Sequence, residues 1–127
     1  MDKAALVSVD LERGLEIVNA LEHADLRIGV AVWVYLAEYE DWRLVISARR
    51  FDVLEPRAGY RLLHHLTAAA GLTAEKIPPV MILHMSDPFV RHLRRIFKKT
   101  KSVEGMRLGG QVIGDRFVED AYVYRIS

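Results

Sequence analysis

Ile28-Gly29-Val30-Ala31-Val32-Trp33-Val34-Tyr35-Leu36 carries no polar side chain other than the tips of its two aromatic residues. Successive side chains of a strand point to opposite faces, so a strand open to water on one side alternates apolar with polar residues. A run that is apolar at every step is covered on both faces. Its valines favour a strand over a helix, and it is too short to cross a membrane, which takes about 20 residues. The stretch predicts a central strand.

Working outward, Leu11, Leu15, Val18 and Leu21 recur at helical steps, with Glu12, Glu16, Asn19 and Glu22 on other faces. They predict a helix from Asp10 to Ala24, capped by Ser8 or Asp10. Tyr39-Glu40-Asp41 breaks the chain, and Trp42 to Ala48 resumes as a strand with Trp42, Leu44 and Ile46 on one face. After a polar loop from Arg49 to Glu55, Pro56 opens a second helix that Gly71 ends. Ile77-Pro78-Pro79 cannot lie inside a central strand, but Val80 to Met85 can form a short one. Asp87 caps a third helix with Pro88 in its first turn. Glu104 to Ile126 reads as two strands joined at Ile113-Gly114-Asp115-Arg116. The expected fold is a single α+β domain over residues 1–127, a mixed five-stranded sheet with three helices in the order αββαβαββ.

A chain of 127 residues is long enough to bury roughly 65 to 70% of its unfolded surface in one core. Its 51% hydrophobic content and net charge of +1 argue against disorder. There is no cysteine, which excludes disulfides, thiolate catalysis and cysteine-ligated zinc. The start, Met1-Asp2-Lys3-Ala4-Ala5-Leu6-Val7, lacks the pattern of a secretory signal. The expected setting is the cytoplasm, with no membrane partner.

The small net charge conceals segregation. Residues 1–55 hold 11 acidic and 6 basic side chains, residues 56–103 hold 2 and 9, and residues 104–127 hold 4 and 3. Four of the five histidines, His64, His65, His84 and His92, lie in the basic segment. On the third helix Arg91, Arg94, Arg95, Lys98 and Lys99 fall opposite a stripe of Phe89, Val90, Leu93, Ile96 and Phe97. No acid lies between Asp87 and Glu104 to pair with them, and like charges at helical spacing cost a few tenths of a kcal/mol each. Lys98, Lys99 and Lys101 are also explained by the helix dipole, which favours cations near its C-terminus. Arg57 and Arg61 repeat the pattern on the second helix, beside His64 and His65. If both helices lie on one face of the sheet, they form one basic surface; if on opposite faces, the joint surface disappears.

Two further places carry residue types suited to chemistry. His84, Ser86 and Asp87 sit where a strand ends and a helix begins, a common site position in α/β sheets, although Asp87 also fits a simple cap. Glu38, Glu40 and Asp41 cluster at one turn and Asp115, Glu119 and Asp120 near another, a pattern open to Mg²⁺-dependent phosphodiester cleavage or to plain solvation of turns. Within the last segment, Glu119 or Asp120 is expected to face inward and pair with Arg107 or Arg125. No phosphate-binding loop, dinucleotide fingerprint or zinc helix is present, so no cofactor or metal is expected. Gly109-Gly110 reads as a bulge or a close-packed strand. Tyr39, Trp42 and Tyr60 are candidates for base stacking or for packing.

Ala31-Val32-Trp33-Val34-Tyr35-Leu36, the stretch Tyr39 to Ile46 and the ending Val118-Glu119-Asp120-Ala121-Tyr122-Val123-Tyr124-Arg125 resemble a family of small bacterial α+β proteins with no assigned activity. The resemblance implies a bacterial cytosolic setting and carries no site residues. With no complete catalytic constellation in the sequence, the expected function is that of a noncatalytic interaction or regulatory module. Its cationic helix face, Arg91, Arg94, Arg95, Lys98 and Lys99 with Arg57 and Arg61, would meet nucleic acid or an acidic protein surface, including another copy in a homodimer. The alternatives are a hydrolase or metal-dependent nuclease built on the carboxylates and His84, and a homo-oligomeric structural module.

Overall fold

The computed structural model describes residues 6–100 and 102–127. In chain order the elements are α1 (Ser8–His23), β1 (Val30–Leu36), β2 (Asp41–Ser47), α2 (Arg49–Asp52), α3 (Pro56–Ala69), a 3₁₀ turn (Ala74–Lys76) and β3 (Val80–Ile82). These are followed by α4 (Pro88–Phe97), β4 (Arg107–Leu108), β5 (Gln111–Ile113), β6 (Arg116–Val118) and β7 (Ala121–Ile126). The sheet is five-stranded and mixed, in the order β3-β2-β1-β7-β4, with β2 and β3 parallel and the other pairs antiparallel. The α+β class and the mixed five-stranded sheet are as expected. Among the described residues no helix is long and apolar enough to cross a membrane.

No residue of β1 is more than 7% exposed. Ala31, Trp33 and Tyr35 face Ile17, Val18 and Leu21 of α1 and Leu63 of α3. Val30, Val32, Val34 and Leu36 face Phe89, Val90 and Leu93 of α4, together with Ile113 and Val118 of the β5–β6 hairpin. The sheet therefore separates two cores, with α1 and α3 on one side and α4 and the hairpin on the other.

Three local differences from the sequence reading have physical causes. The polar stretch after β2 contains the short helix α2, because Phe51 is buried and draws the chain back onto the core. The last segment holds four short strands, two of them forming a separate hairpin. The chain leaves the sheet edge at Gly109 and Gly110, where a Cβ on Gly109 would stand 2.7 Å from the Glu119 carbonyl and Gly110 has φ of +64°. Helix α1 starts at Ser8, and Asp10 supports that start from within the first turn by accepting from the Val7 N–H at 3.2 Å.

The buried stripe of α1 is also rotated from the expected one: Gly14, Ile17, Val18 and Leu21 are buried and Leu15 is exposed. A hydrogen-bond chain sets this rotation. Trp33 Nε1 donates to the Tyr124 hydroxyl at 2.9 Å, and that hydroxyl donates to the Leu11 carbonyl at 2.6 Å. The Tyr124 ring reaches the helix backbone only because residue 14 is glycine; a Cβ there would stand 2.7 Å from Trp33 Nε1 and run into Tyr124. At the other end of α1, Asp25 takes φ of +59°, Asp25 N donates to Glu22 O and Leu26 N to Leu21 O, closing a Schellman motif. Helix α3 ends the same way at Gly71, as its sequence predicts.

Two outcomes follow for stability. Gly14→Ala, which would add up to about 1 kcal/mol to an isolated helix, is expected to destabilise this protein by about 1–3 kcal/mol through overpacking; urea unfolding would measure it. Burial, outweighing the Trp33 hydrogen bond, pushes the Tyr124 phenol up from 10.0 to about 12. The folded chain thus holds a proton that the unfolded chain releases, so this contribution is full below pH 10.0 and is lost as pH rises towards about 12. Tyr124→Phe should flatten that part of the alkaline slope relative to wild type. It should also lose about 1–3 kcal/mol at neutral pH, because the buried Trp33 Nε1 is left without its partner.

Candidate anion-binding surface

Helix α4 is built to show cations. The Asp87 carboxylate accepts from Phe89 N at 2.9 Å, Pro88 takes the first position, and Phe89, Val90 and Leu93 anchor one side in the core. Arg91, Arg95, Lys98 and Lys99 are exposed on the other side, and none of the four has an ion pair among the described residues. Arg95 lies 3.2 Å from His92 Nδ1. Ile96, expected in the apolar stripe, is 51% exposed, whereas its neighbour Phe97 packs against the core. Lys101 lies outside the described residues.

Arg94 behaves differently. It is half-buried, and its Nε donates to the Ser127 backbone oxygen at 2.6 Å. At about 100° per residue, Arg94 stands at one rim of the cationic face and Lys99 at the other, with Lys98, Arg91 and Arg95 between them. A cleft of about 380 Å³ separates Arg91, His92 and Arg95 from Gly114 and Asp115 of the β5–β6 turn. Gly114, with φ of +64°, permits this close approach: a Cβ there would stand 2.7 Å from Phe89 N. Helix and hairpin thus form one layer. On the hairpin's outer side Val112 and Phe117, direct cross-strand partners, are 62% and 67% exposed.

Arg57 and Arg61 do not join this surface. They are exposed on α3, which packs on the opposite core. The joint basic surface of two helices is therefore absent, and the candidate residues divide across the sheet. The cause is the order of the strands: α3 leads to β3 at one edge, and the chain then runs over the other face through α4 to reach β4 at the far edge.

The catalytic alternatives meet specific obstacles of geometry. Ser86 Oγ lies 2.7 Å from His84 Nδ1, but the nearest carboxylate, Asp52, faces that same nitrogen at 3.7 Å. A serine relay needs hydroxyl and carboxylate on opposite ring nitrogens. Asp52 is instead held by the Met85 N–H at 3.1 Å, which pins the loop after β3. Three of the six turn carboxylates meet arginines: Asp41 with Arg43 at 3.1 Å, Asp120 with Arg107 at 2.9 Å and Glu38 with Arg116 at 3.6 Å. The Arg107–Asp120 pair is one of those expected, whereas Arg125 pairs with Glu22 at 2.7 Å. Among the described residues no group of three or more His, Asp or Glu is placed to hold a metal ion. Of the stacking candidates, Trp42 packs edge-on to Tyr35 and Tyr60 Oη accepts from Ile82 N at 2.9 Å, whereas Tyr39 is 55% exposed with the Arg43 guanidinium over its ring.

One feature escaped the sequence reading. A cleft of about 430 Å³ at the end of the sheet is lined by Arg27, Arg49, Arg50 and Arg94, with Asp25 as its carboxylate. Arg49 and Arg50 follow β2 directly and Arg27 sits just before β1, a signal that a check of arginines at strand ends would have found. Comparison with protein families, with curated proteins and with solved structures gives no match to the chain, so its function is read from these surfaces alone.

Proposed function

We propose that the protein is a noncatalytic binding module that holds a single-stranded nucleic acid along the outer layer formed by α4 and the β5–β6 hairpin. The observation that carries this reading is the row of exposed cations Arg91, Arg95, Lys98 and Lys99, none of them ion-paired among the described residues. Such a row repels itself and is relieved by a polyanion, whose phosphates give up their counterions on binding. Phe117 favours nucleic acid over an acidic protein surface. An exposed aromatic ring on the same layer offers a base a stacking partner, which is the usual companion of a cationic groove in single-strand binders. A bacterial, cytoplasmic setting is consistent with this role.

Titration of labelled single-stranded DNA and RNA against a salt series tests it. The wild-type affinity should fall with a log–log slope of roughly −0.7 per phosphate engaged. Arg91→Glu/Arg95→Glu/Lys98→Glu should abolish binding with little change in melting temperature, since all three side chains are exposed. Phe117→Ser should weaken single-strand binding about tenfold or more without changing the slope. Equal binding by wild type and the triple variant would refute the reading. Failure of the wild type to bind oligonucleotides, combined with α4-dependent binding of polyglutamate, would put an acidic protein surface in their place.

A further inference from the structure

We infer that the arginine cleft at the end of the sheet is a second, separate site, which binds the phosphate of a small phosphomonoester. Its four guanidinium groups come from three places in the chain: Arg27 before β1, Arg49 and Arg50 after β2, and Arg94 on α4. Arg27, Arg49 and Arg50 are exposed and have no hydrogen bond or ion pair among the described residues. The lining includes the Asp25 carboxylate and the Ser127 oxygen, which engages Arg94. The other three guanidinium groups, gathered in a concavity, outnumber the Asp25 carboxylate and make a focused positive field. Guanidinium forks match the oxygens of a phosphate two at a time, which lysines cannot do.

The walls are held in place before any ligand arrives. Gly29 N donates to Ser47 O at 2.8 Å, Ser127 N to Gly29 O at 2.8 Å, and Ser127 Oγ to Ile28 O at 2.8 Å. Met85, pinned through its N–H to Asp52, lies directly over Gly29, where a Cβ would stand 2.6 Å from its sulfur. The cleft thus pairs a cationic rim with an apolar wall of Met85 and Ile28. Its volume of about 430 Å³ is within the usual range for small-molecule sites. That combination suits a phosphate carried on a compact ring, as in a nucleoside monophosphate.

Isothermal titration with inorganic phosphate and with adenosine monophosphate, at constant ionic strength set by chloride, tests the site. Both ligands should bind the wild type, the nucleotide more tightly by about tenfold or more if the Met85 wall takes the ring. Arg49→Gln/Arg50→Gln should weaken both by at least about tenfold. Because both side chains are exposed, an unchanged melting temperature is expected and would separate lost binding from lost folding. Arg57→Gln/Arg61→Gln, on the opposite face, should leave binding intact. The α4 triple variant should retain phosphate while losing oligonucleotides, so this site and the α4 surface stand or fall separately. Equal binding by wild type and the Arg49/Arg50 variant would overturn the inference, as would an absence of heat with either ligand in the wild type.

Discussion

The burial of β1 on both faces is the constraint on which the remaining architecture rests. A seven-residue strand with no wet side requires a layer on each face of the sheet. The alternation of its side chains assigns the partners: Ala31, Trp33 and Tyr35 to α1 and α3, and Val30, Val32, Val34 and Leu36 to α4 and the hairpin. Both layers are filled, with α3 in one and α4 in the other. The division of Arg57 and Arg61 from the cations of α4 follows the path of the chain, which passes from α3 to β3 at one sheet edge and then over the other face through α4.

The α1 side of this arrangement includes a polar contact inside an apolar core. Placing the Trp33 indole and the Tyr124 hydroxyl in the interior is favourable only if their hydrogen-bonding groups find partners. They find each other and a carbonyl of α1. That solution needs the helix backbone within reach, which in turn needs glycine at position 14 despite a helix-propensity cost of about 1 kcal/mol. Side-chain pairing in the core thus selects a residue on a helix far away in sequence, and it fixes the rotation of α1 about its axis.

Much of the fold was legible because its signals are local or periodic. The double-sided apolar run, Pro56 and Pro88 in first turns, Gly71 at a helix end and Gly114 at a tight turn all appear in the structure in their expected roles. The parts that were not legible depend on contacts between distant segments. The rotation of α1 depends on Tyr124, and the burial of Phe51, which makes α2, depends on the α3 core. The candidate site was half legible for the same reason. Helical periodicity placed Arg91, Arg95, Lys98 and Lys99 outward correctly, but it could not show that Arg94 turns towards Ser127. Counting charge by segment then hid the arginine cleft, because Arg27, Arg49 and Arg50 lie in a stretch whose 11 acids outnumber its 6 basic residues.

Many of the acids of the first half lie on the outer side of α1 and at the β1–β2 turn, whereas its three cleft arginines collect at the opposite end of β1 from that turn. Net charge per segment describes long-range repulsion and solubility, but binding responds to the potential within a Debye length of about 8 Å at physiological salt. At that range the arginines of the cleft outnumber its Asp25 carboxylate, while at the turns Asp41, Asp120 and Glu38 are matched by Arg43, Arg107 and Arg116. Arg43, Arg107, Arg116 and Arg125 lie beside carboxylates and join loops, strands and α1 to one another. Arg27, Arg49 and Arg50 in the cleft, Arg91 and Arg95 on α4, and Arg57 and Arg61 on the opposite face have no carboxylate partner among the described residues.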